Sequence, residues 1–392
     1  MKVAIYKDVM TSGRGADRAT GALANALAER GVEVHLLTQV PEGGKALSVD
    51  FGPQVRVHLV AVPPRRGVRW RVNKLLMKSA WGARLLRRAL PGCDWVLQTS
   101  RRVRAELAAI APEGVLSAGS NELIELMAEG ALPWPVIQMF HVYPPTCFGK
   151  NKEQRVTRLK AAMAQVAASQ VLLPSFRELL APYTAAPVVV IGNTVAFGGV
   201  GEPPEARAKQ MVYVAYFTKD KNHEALLEAF ARLERAEGWT LELYGSGTAA
   251  WEARLRAKAE ALGIAGRVHF HGVVAKPAEV LSRAAVCAYP SRVEGFGMAL
   301  VEAMGAGCAC VGFADAPGVN ELIEPGRTGL LVAPGVAGFA AALQQLVDDA
   351  ALRAQLGQAA ARTVRERWSS ETIWRAWMDF LSGTLAGEGS RG

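Results

Sequence analysis

The sequence has few cysteines and no long hydrophobic run. Five cysteines are spread over 392 residues with no zinc-type spacing, which indicates a reduced, cytosolic protein. The amino-terminal apolar run is only four residues long, too short for a signal peptide. The uncharged stretch 181–201 contains two prolines and four glycines, which argues against a membrane-spanning helix. We therefore expect a soluble, cytoplasmic protein.

Two motifs that hold phosphates or metals are also missing. The sequence contains no Asp-x-Asp, the carboxylate pair that often holds a metal-bound nucleotide. It contains no P-loop either. We therefore expect no metal site and no cofactor.

Acidic residues are absent between Pro63 and Arg88. This stretch holds nine of the 45 basic residues. The other 36 basic residues balance the 36 acidic ones, so the net charge of +9 comes from this one local patch. The nine are Arg65, Arg66, Arg69, Arg71, Lys74, Lys78, Arg84, Arg87 and Arg88. Such a patch predicts an acidic partner at one place.

Apolar residues on one helical face, with Trp70 and Trp81 among the cations, are typical of a helix on an anionic membrane surface. A helix packed on a sheet, or a groove for an anionic soluble ligand, fits the pattern as well.

Hydrophobic periodicity predicts alternating strands and helices along nearly the whole chain. Short apolar segments such as Lys2–Tyr6 and Asp94–Gln98 read as strands between helical patterns, as expected of parallel sheets. A segment rich in glycine, proline and charge then precedes a second β/α series that begins at Met211. The predicted fold class is α/β, with two doubly wound, Rossmann-like domains that bind ligands in the cleft between them. The predicted boundaries are 1–196 for the first domain, 197–209 for a linker, 210–368 for the second domain and 369–392 for a terminal helix.

The most informative segment, residues 289–302, reads Y-P-S-R-V-E-G-F-G-M-A-L-V-E. It predicts a strand end, a glycine loop carrying Glu294, and a helix with Glu302 in its second turn. Gly295 and Gly297 lack a Cβ, so backbone N–H groups there can approach an anion at the positive end of the helix. A nucleotide diphosphate bound there would place its sugar near Glu294 and its ribose near Glu302. Taken alone, the pattern fits equally a turn with one surface glutamate and one packing glutamate.

This segment resembles the E-x7-E signature of the retaining glycosyltransferases of the GT-B fold, family four (glycosyl transferases group 1), of the type that makes lipopolysaccharide and glycolipids. The resemblance continues through E-A-M-G-A-G (302–307), G-V-N-E-L-I (318–323), G-R-T-G-L-L-V (326–332), L-Y-G-S-G (243–247) and V-H-F-H-G-V (268–273). It implies a GT-B fold with an acceptor-binding domain over 1–196 and a nucleotide-sugar domain over 210–368. It also implies that the terminal helix, 369–392, packs back on the N-terminal domain.

The resemblance implies roles for individual residues. Glu294 would contact the donor sugar and Glu302 the ribose. Lys221 matches a lysine that the family places on the diphosphate, whereas Tyr216 stands where an arginine is common. A cation there would offset the charge that develops on the leaving group, and Lys219 is a further candidate. The alternative for both lysines is a solvated loop position. The other implied donor-binding positions are Gly15, Tyr216, Gly245, Val273 beside the base, Gly295, Phe296, Gly297 and Met298.

Two residues of the N-terminal half complete the predicted catalytic set of Glu294, Lys221, His141 and Asp17. Asp17 resembles the family's acceptor-facing loop, although an acid in the first turn of a helix also suits the helix dipole. His141 ends an apolar strand before two prolines and resembles the family's histidine near the transferred sugar. A lone histidine in such a place is otherwise structural.

The resemblance implies a retaining, metal-independent hexosyltransferase. It would move a sugar from a nucleotide-diphosphate sugar, with UDP favoured, to a lipid-linked or saccharide acceptor such as lipopolysaccharide core or another cell-envelope glycan. No second carboxylate stands out as a nucleophile opposite Glu294, so a same-face step is expected rather than double displacement. Residues 63–90 would attach the protein peripherally to the inner face of the cytoplasmic membrane. A GT-B nucleotide-sugar epimerase and transfer to a soluble acceptor remain alternatives, whereas no motif supports nucleic-acid binding.

Overall fold

The computed structural model divides the chain into two units. It describes residues 1–11, 13, 15–40, 46–63, 67–76, 82, 89, 93–149, 153–195 and 206–387. Unit 1 comprises Met1–Gly192 together with Trp374–Gly392, and unit 2 comprises Asn193–Ile373. Most of the predicted linker, 197–209, lies outside the described residues.

Unit 1, as far as it is described, is built on a seven-stranded sheet in which all neighbouring strands are parallel. Its strands are β1 (Lys2–Lys7), β2 (Glu33–Gln39), β3 (Val55–Val60), β4 (Gly114–Ser117), β5 (Val136–Met139), β6 (Ala168–Val171) and β7 (Val188–Val190). Their order across the sheet is β3-β2-β1-β4-β5-β6-β7. The inner strands are buried on both faces, which explains why they read as continuous apolar runs.

The helices of unit 1 lie in the connections between these strands. They are α1 (Gly15–Glu29), α2 (Gly67–Leu76), α3 (Trp95–Ile110), α4 (Ser120–Leu126), α5 (Glu153–Met163) and α6 (Pro174–Leu180). The strand predicted at Asp94–Gln98 is wrong, because these residues begin α3. The Asp94 side chain accepts a hydrogen bond from the Leu97 backbone N–H at 3.2 Å and so caps the helix. The apolar run after Asp94 is therefore a first helical turn, of which Trp95 is buried and Val96 and Leu97 are partly exposed.

Unit 2 contains, within residues 206–373, a six-stranded parallel sheet. Its strands are β8 (Ala208–Val214), β9 (Thr240–Tyr244), β10 (Val268–Gly272), β11 (Ala284–Tyr289), β12 (Ala309–Phe313) and β13 (Leu330–Val332), in the order β10-β9-β8-β11-β12-β13. Its helices are α7 (His223–Ala231), α8 (Ala249–Ala261), α9 (Pro277–Leu281), α10 (Met298–Gly305), α11 (Val336–Asp348) and α12 (Ala350–Trp368). The two parallel sheets confirm the predicted α/β class with two doubly wound domains.

Each sheet reverses its winding between two central strands, β1 and β4 in unit 1 and β8 and β11 in unit 2. Ligands of doubly wound sheets bind beyond the carboxyl ends of the strands at such a reversal. The segments that follow these strands are therefore where each unit is expected to carry a site.

The last described helix, α13 (Ser370–Leu385), belongs to unit 1 from Trp374 onward. A Cβ on Gly114, at the start of β4, would lie 2.4 Å from a side-chain carbon of Leu385. This helix therefore passes close to the sheet at Gly114. None of the helices in the described ranges is both long enough and apolar enough to span a membrane.

Candidate active site

Unit 2 brings the predicted residues Lys221 and Glu294 into direct contact. Lys221 follows β8 and Glu294 follows β11, the two strands at which the winding reverses. The Nζ of Lys221 donates to Oε1 of Glu294 at 2.5 Å. Because Glu294 is only 9% exposed, most of this ion pair is shielded from water. The arrangement offers a cation and a carboxylate side by side at the expected end of the sheet.

The backbone at Glu294 is held by the turn that follows β12. The Glu294 N–H donates to the carbonyl of Pro317 at 2.8 Å. Gly318 has a φ of +80°, and a Cβ there would lie 2.4 Å from the Glu294 carbonyl oxygen. Glycine is therefore required at position 318 for the two loops to approach this closely.

Two buried tyrosines surround the Lys221–Glu294 pair. The hydroxyl of Tyr289 donates to Glu294 Oε1 at 3.0 Å. The hydroxyl of Tyr213 donates to the Lys221 carbonyl at 2.9 Å and accepts a hydrogen bond from Ser291 at 2.7 Å. Burial and the nearby Glu294 carboxylate raise the pKa of both tyrosines well above the usual value. Both hydroxyls therefore remain protonated donors at neutral pH.

The predicted phosphate loop leads directly into α10. Gly297 caps this helix with a φ of +64°, and its carbonyl accepts hydrogen bonds from the N–H groups of Leu300 and Val301. The first N–H groups of a helix have no partner within the helix, so the segment that starts at Met298 offers donors to an anion. Phe296 anchors the loop, because its ring packs against Trp368 at a centroid distance of 5.9 Å. Gly295 lies between Glu294 and this anchor and is partly exposed.

Glu302 lies on α10, one turn beyond Met298, and is 5% exposed. This burial fits both a ligand-binding residue and the packing glutamate of the alternative interpretation, whereas Glu294, at 9% exposed, is not the surface glutamate of that alternative. Glutamate is rarely used to fill apolar space, so a buried carboxylate beside the phosphate loop suits a residue that binds a polar ligand.

The carboxyl ends of β9 and β10 carry an aromatic pair to which no sequence pattern had pointed. The rings of Tyr244 and His271 stack with centroids 4.5 Å apart and planes 14° apart. The Nε2 of His271 lies 2.5 Å from Oε2 of Glu242, which orients the imidazole. The available signal was an aromatic side chain at or next to the carboxyl end of each of these two strands.

The predicted residues Gly245 and Val273 adjoin this pair. The Gly245 N–H donates to the Gly272 carbonyl at 2.7 Å, and a Cβ on Gly245 would lie 1.9 Å from the Ala215 carbonyl oxygen. Val273 is 71% exposed. Close-packed backbone thus lies next to exposed apolar and aromatic side chains. This arrangement is suited to contact with the flat face of a nucleotide base.

A further cation, Arg292, lies beside the loop after β8. Its N–H donates to the Asp220 carbonyl at 2.9 Å, and its guanidinium donates to Asn222 Oδ1 at 3.3 Å. On the same loop Lys219 is exposed, whereas Tyr216 is half-buried. Arg292 stands inside the motif at 289–302, yet the sequence pattern assigned it no role.

In unit 1 the predicted residues Asp17 and His141 lie near the carboxyl ends of the central strands. Asp17, two residues after the start of α1 at Gly15, is 3% exposed and accepts a hydrogen bond from Ser48 at 3.3 Å. Both ring nitrogens of His141 are buried without a hydrogen-bond partner in the described part of the chain. Burial and the charge of Lys7 lower the pKa of His141 to about 4, against an opposing effect of Asp17. His141 is therefore neutral at physiological pH.

A buried ion pair beside these residues was not predicted. The Nζ of Lys7 donates to Oε1 of Glu122 at 2.6 Å and contacts Asp8. Burial alone would lower the pKa of Lys7, but the carboxylates of Glu122 and Asp8 raise it above its usual value. A Cβ on Gly119 would lie 2.4 Å from Glu122 Oε2, so a glycine makes room for this carboxylate. Lys7 and Glu122 are 115 residues apart, and only the fold brings them together.

Comparison with solved structures identifies the fold. The structure resembles sucrose-phosphate synthase from Thermosynechococcus elongatus with a TM-score of 0.81 and 19% identity, over 98% of this chain and 99% of that chain. It resembles Anabaena HepE, solved in complex with UDP and glucose, with a TM-score of 0.72 and 16% identity, over 98% of this chain and 100% of that one. The fold is GT-B.

Residues 201–363 match the model of the family "Glycosyl transferases group 1". The match confirms the resemblance drawn from the E-x7-E motif. The lipopolysaccharide core biosynthesis glycosyltransferase LpsE of Rhizobium meliloti is 29% identical over 192 residues, which cover 49% of this chain and 55% of LpsE. The chain spans only 18%, 43% and 41% of the length of three other curated relatives that it matches.

Proposed function

We propose that this chain is a retaining glycosyltransferase that moves a sugar from a UDP-sugar to a lipid-linked or saccharide acceptor such as lipopolysaccharide core. The observation that carries the proposal is the Lys221–Glu294 contact next to the first turn of α10. It offers a cation and backbone donors for a diphosphate, and a carboxylate for the attached sugar. The family match supports transfer chemistry, HepE with its bound UDP and glucose supports the donor, and LpsE supports a cell-envelope acceptor.

On the donor side, each part of the nucleotide sugar has a chemical counterpart. The diphosphate binds the first N–H groups of α10 and the ammonium of Lys221. Glu294 accepts hydrogen bonds from the sugar hydroxyls, and Glu302 accepts them from the ribose. The base lies at the strand ends marked by Gly245 and Val273.

In the transfer step, the bond from C1 of the sugar to the diphosphate oxygen breaks, and the acceptor oxygen bonds to C1 on the same face. The acceptor hydroxyl gives its proton to the leaving phosphate, which keeps charge and atoms balanced and needs no further base. Lys221 stabilises the charge that develops on the diphosphate. His141 serves the transferred sugar as a neutral hydrogen-bonding group, because a pKa of about 4 leaves no imidazolium to act as an acid at neutral pH.

A donor panel tests this function. Thermal unfolding should shift upward most with UDP and one UDP-sugar when UDP, GDP, ADP and their sugars are compared. With that UDP-sugar, a purified lipopolysaccharide core or lipid-linked acceptor should accelerate UDP release, and the product should keep the anomeric configuration of the donor. A larger upward shift of the unfolding temperature with GDP or ADP would contradict the proposal that the donor is a UDP-sugar. Interconversion of nucleotide sugars without transfer would indicate an epimerase instead.

The proposal includes independence from divalent metals. Lys221 and the N–H groups at the start of α10 neutralise the diphosphate in the role that a metal ion plays elsewhere. Turnover in excess EDTA should therefore stay within about twofold of turnover with added Mg²⁺, well below the effect of losing a transition-state contact. Loss of activity in EDTA that only Mg²⁺ or Mn²⁺ restores would contradict this prediction.

We also propose that residues 63–90 dock on an anionic membrane next to a lipid-linked acceptor. Most of the nine cations lie outside the described residues, but Arg71 on α2 is exposed. Apolar side chains on α2 and β3 are exposed as well: Val68 is 76%, Leu75 66% and Leu59 55% exposed. Apolar groups among cations are suited to the boundary of an anionic bilayer.

Sedimentation with liposomes tests this docking. We expect binding to vesicles that contain phosphatidylglycerol, weaker binding as salt increases, and loss of binding when Arg65, Arg66, Arg69 and Arg71 are changed to serine. Each cation near such a surface contributes about 1 kcal/mol of binding free energy. Four such changes should therefore remove most of the affinity of a reversibly bound protein for the vesicles. The matched change of the same four residues to lysine keeps the charge and should keep the binding. Equal partitioning onto neutral vesicles, or none at all, would exclude the membrane role.

A further inference from the structure

The Oε1 atom of Glu294 is contacted by two donors at once. The Lys221 ammonium lies 2.5 Å from it, and the Tyr289 hydroxyl lies 3.0 Å from it. A carboxylate oxygen that already accepts two hydrogen bonds leaves the other oxygen, Oε2, as the one to meet a new ligand. The two donors differ greatly in how firmly the protein holds them.

We infer that Tyr289 is a positioning residue for Glu294: its hydroxyl holds Oε1, directs Oε2 toward the donor sugar, and keeps that hold when Lys221 moves to the diphosphate. This inference rests on the function proposed above. It assigns Tyr289 a part in catalysis that acts only through Glu294.

Tyr289 suits this task because it is rigid. It is the last residue of β11, a strand buried along its whole length, and is itself 2% exposed. Its ring packs edge-to-face against Tyr213 with centroids 5.2 Å apart. The Tyr213 hydroxyl is fixed in turn by Ser291 and the Lys221 carbonyl. The Tyr289 hydroxyl therefore has little freedom to leave Glu294.

Lys221 suits the opposite task. It is partly exposed, and its ammonium sits on a flexible four-carbon stem, so it can follow a phosphate. When a diphosphate attracts that ammonium, Glu294 loses one of its two donors. Without Tyr289 it would lose both, and the carboxylate would turn freely just as the sugar requires it in one orientation.

The test is Tyr289→Phe, which removes one oxygen and keeps the ring. We expect kcat to fall about 10-fold, in line with the loss of a hydrogen bond to a charged group, while the Kd for UDP changes less than about twofold. In a Glu294→Ala background the same substitution should have no further effect on residual turnover, because its partner is gone. Tyr6→Phe is the matched control, since it removes a buried phenol from another carboxylate, Glu125, in unit 1. It should lower the unfolding temperature but leave kcat within about twofold.

The outcomes separate the two claims. If the wild-type chain neither binds UDP nor releases it from a UDP-sugar, the proposed function fails. If the wild type is active and Tyr289→Phe has wild-type kcat, the positioning role is wrong. An equal fall in kcat with Glu294 present and absent would also overturn it, because a purely structural tyrosine gives that result.

Discussion

Replacing Glu294 by alanine is expected to lower kcat about 100- to 1000-fold, the size of effect seen when one group that contacts the transition state is removed. The physical reason is that, in the proposed function, the carboxylate contacts the sugar, where charge develops during transfer. Nucleotide affinity should not fall, because the change also frees the Lys221 ammonium from its ion pair and leaves it available to a diphosphate. Steady-state kinetics with the UDP-sugar and calorimetric titration with UDP measure the two quantities separately.

Glu294→Gln is the matched variant. It keeps the side-chain shape and an oxygen that can accept from Tyr289, but it removes the charge. We expect its kcat to lie between those of the wild type and the alanine variant. Weaker UDP binding in both variants would contradict the assignment of Glu294 to the sugar.

Replacing Glu302 by alanine should act on affinity instead. If Glu302 accepts hydrogen bonds from the ribose, its loss should weaken UDP binding about 10- to 100-fold, the cost of losing hydrogen bonds to a charged acceptor. The kcat at saturating donor should fall much less than in the Glu294 variant. Titration of UDP and of the UDP-sugar into Glu302→Ala, with Glu302→Gln as control for the buried volume, tests this.

The two alanine variants check each other, since both residues belong to the same motif. Equal losses of affinity and turnover in the two variants would show that the division of roles is wrong. A large fall in unfolding temperature for Glu302→Ala alone would identify Glu302 as structural, because it is buried on α10.

The sequence predicted the parts of the fold whose signals are local. The second β/α series predicted from Met211 onward is present in unit 2, and the loop from Glu294 into α10 lies where its glycines indicated. Buried parallel strands read as short apolar runs between glycines, and this signal needs no knowledge of the partner strand. Where a helix begins with such an apolar run, the run is wrongly predicted as a strand, as happened at Asp94–Gln98.

The sequence analysis predicted no strand at β3, although its first five residues, V-R-V-H-L, alternate apolar and polar side chains. Its pairing to β2 is regular, but Arg56, Val57 and Leu59 are all exposed, so both faces of the strand meet solvent. An edge strand has one neighbour and little burial, and a strand of five or six residues at the edge is easily taken for a loop.

The predicted site residues were found by motif, whereas their neighbours were not. Nothing in the local sequence indicated that the Tyr289 hydroxyl would reach Glu294, or that Lys7 would pair with Glu122. The Lys7–Glu122 contact depends on β1 and β4 becoming neighbours, and the Tyr289–Glu294 contact depends on how the loop after β11 turns back toward the strand end. A motif identifies residues that contact a ligand. The residues that position those side chains can be identified only once the fold is known.

The division of the chain has a consequence for how the protein is made. Unit 2 is one continuous stretch, Asn193–Ile373, whereas unit 1 needs residues from both sides of it. A ribosome therefore adds every residue of unit 2 to the chain before it adds Leu385, which packs beside Gly114. Unit 1 is thus the first unit to emerge and the last that can be completed. Until then, the contact of its sheet at Gly114 with Leu385 is missing. Shortening the chain before Trp374 would thus damage unit 1 and leave all residues of unit 2 in place.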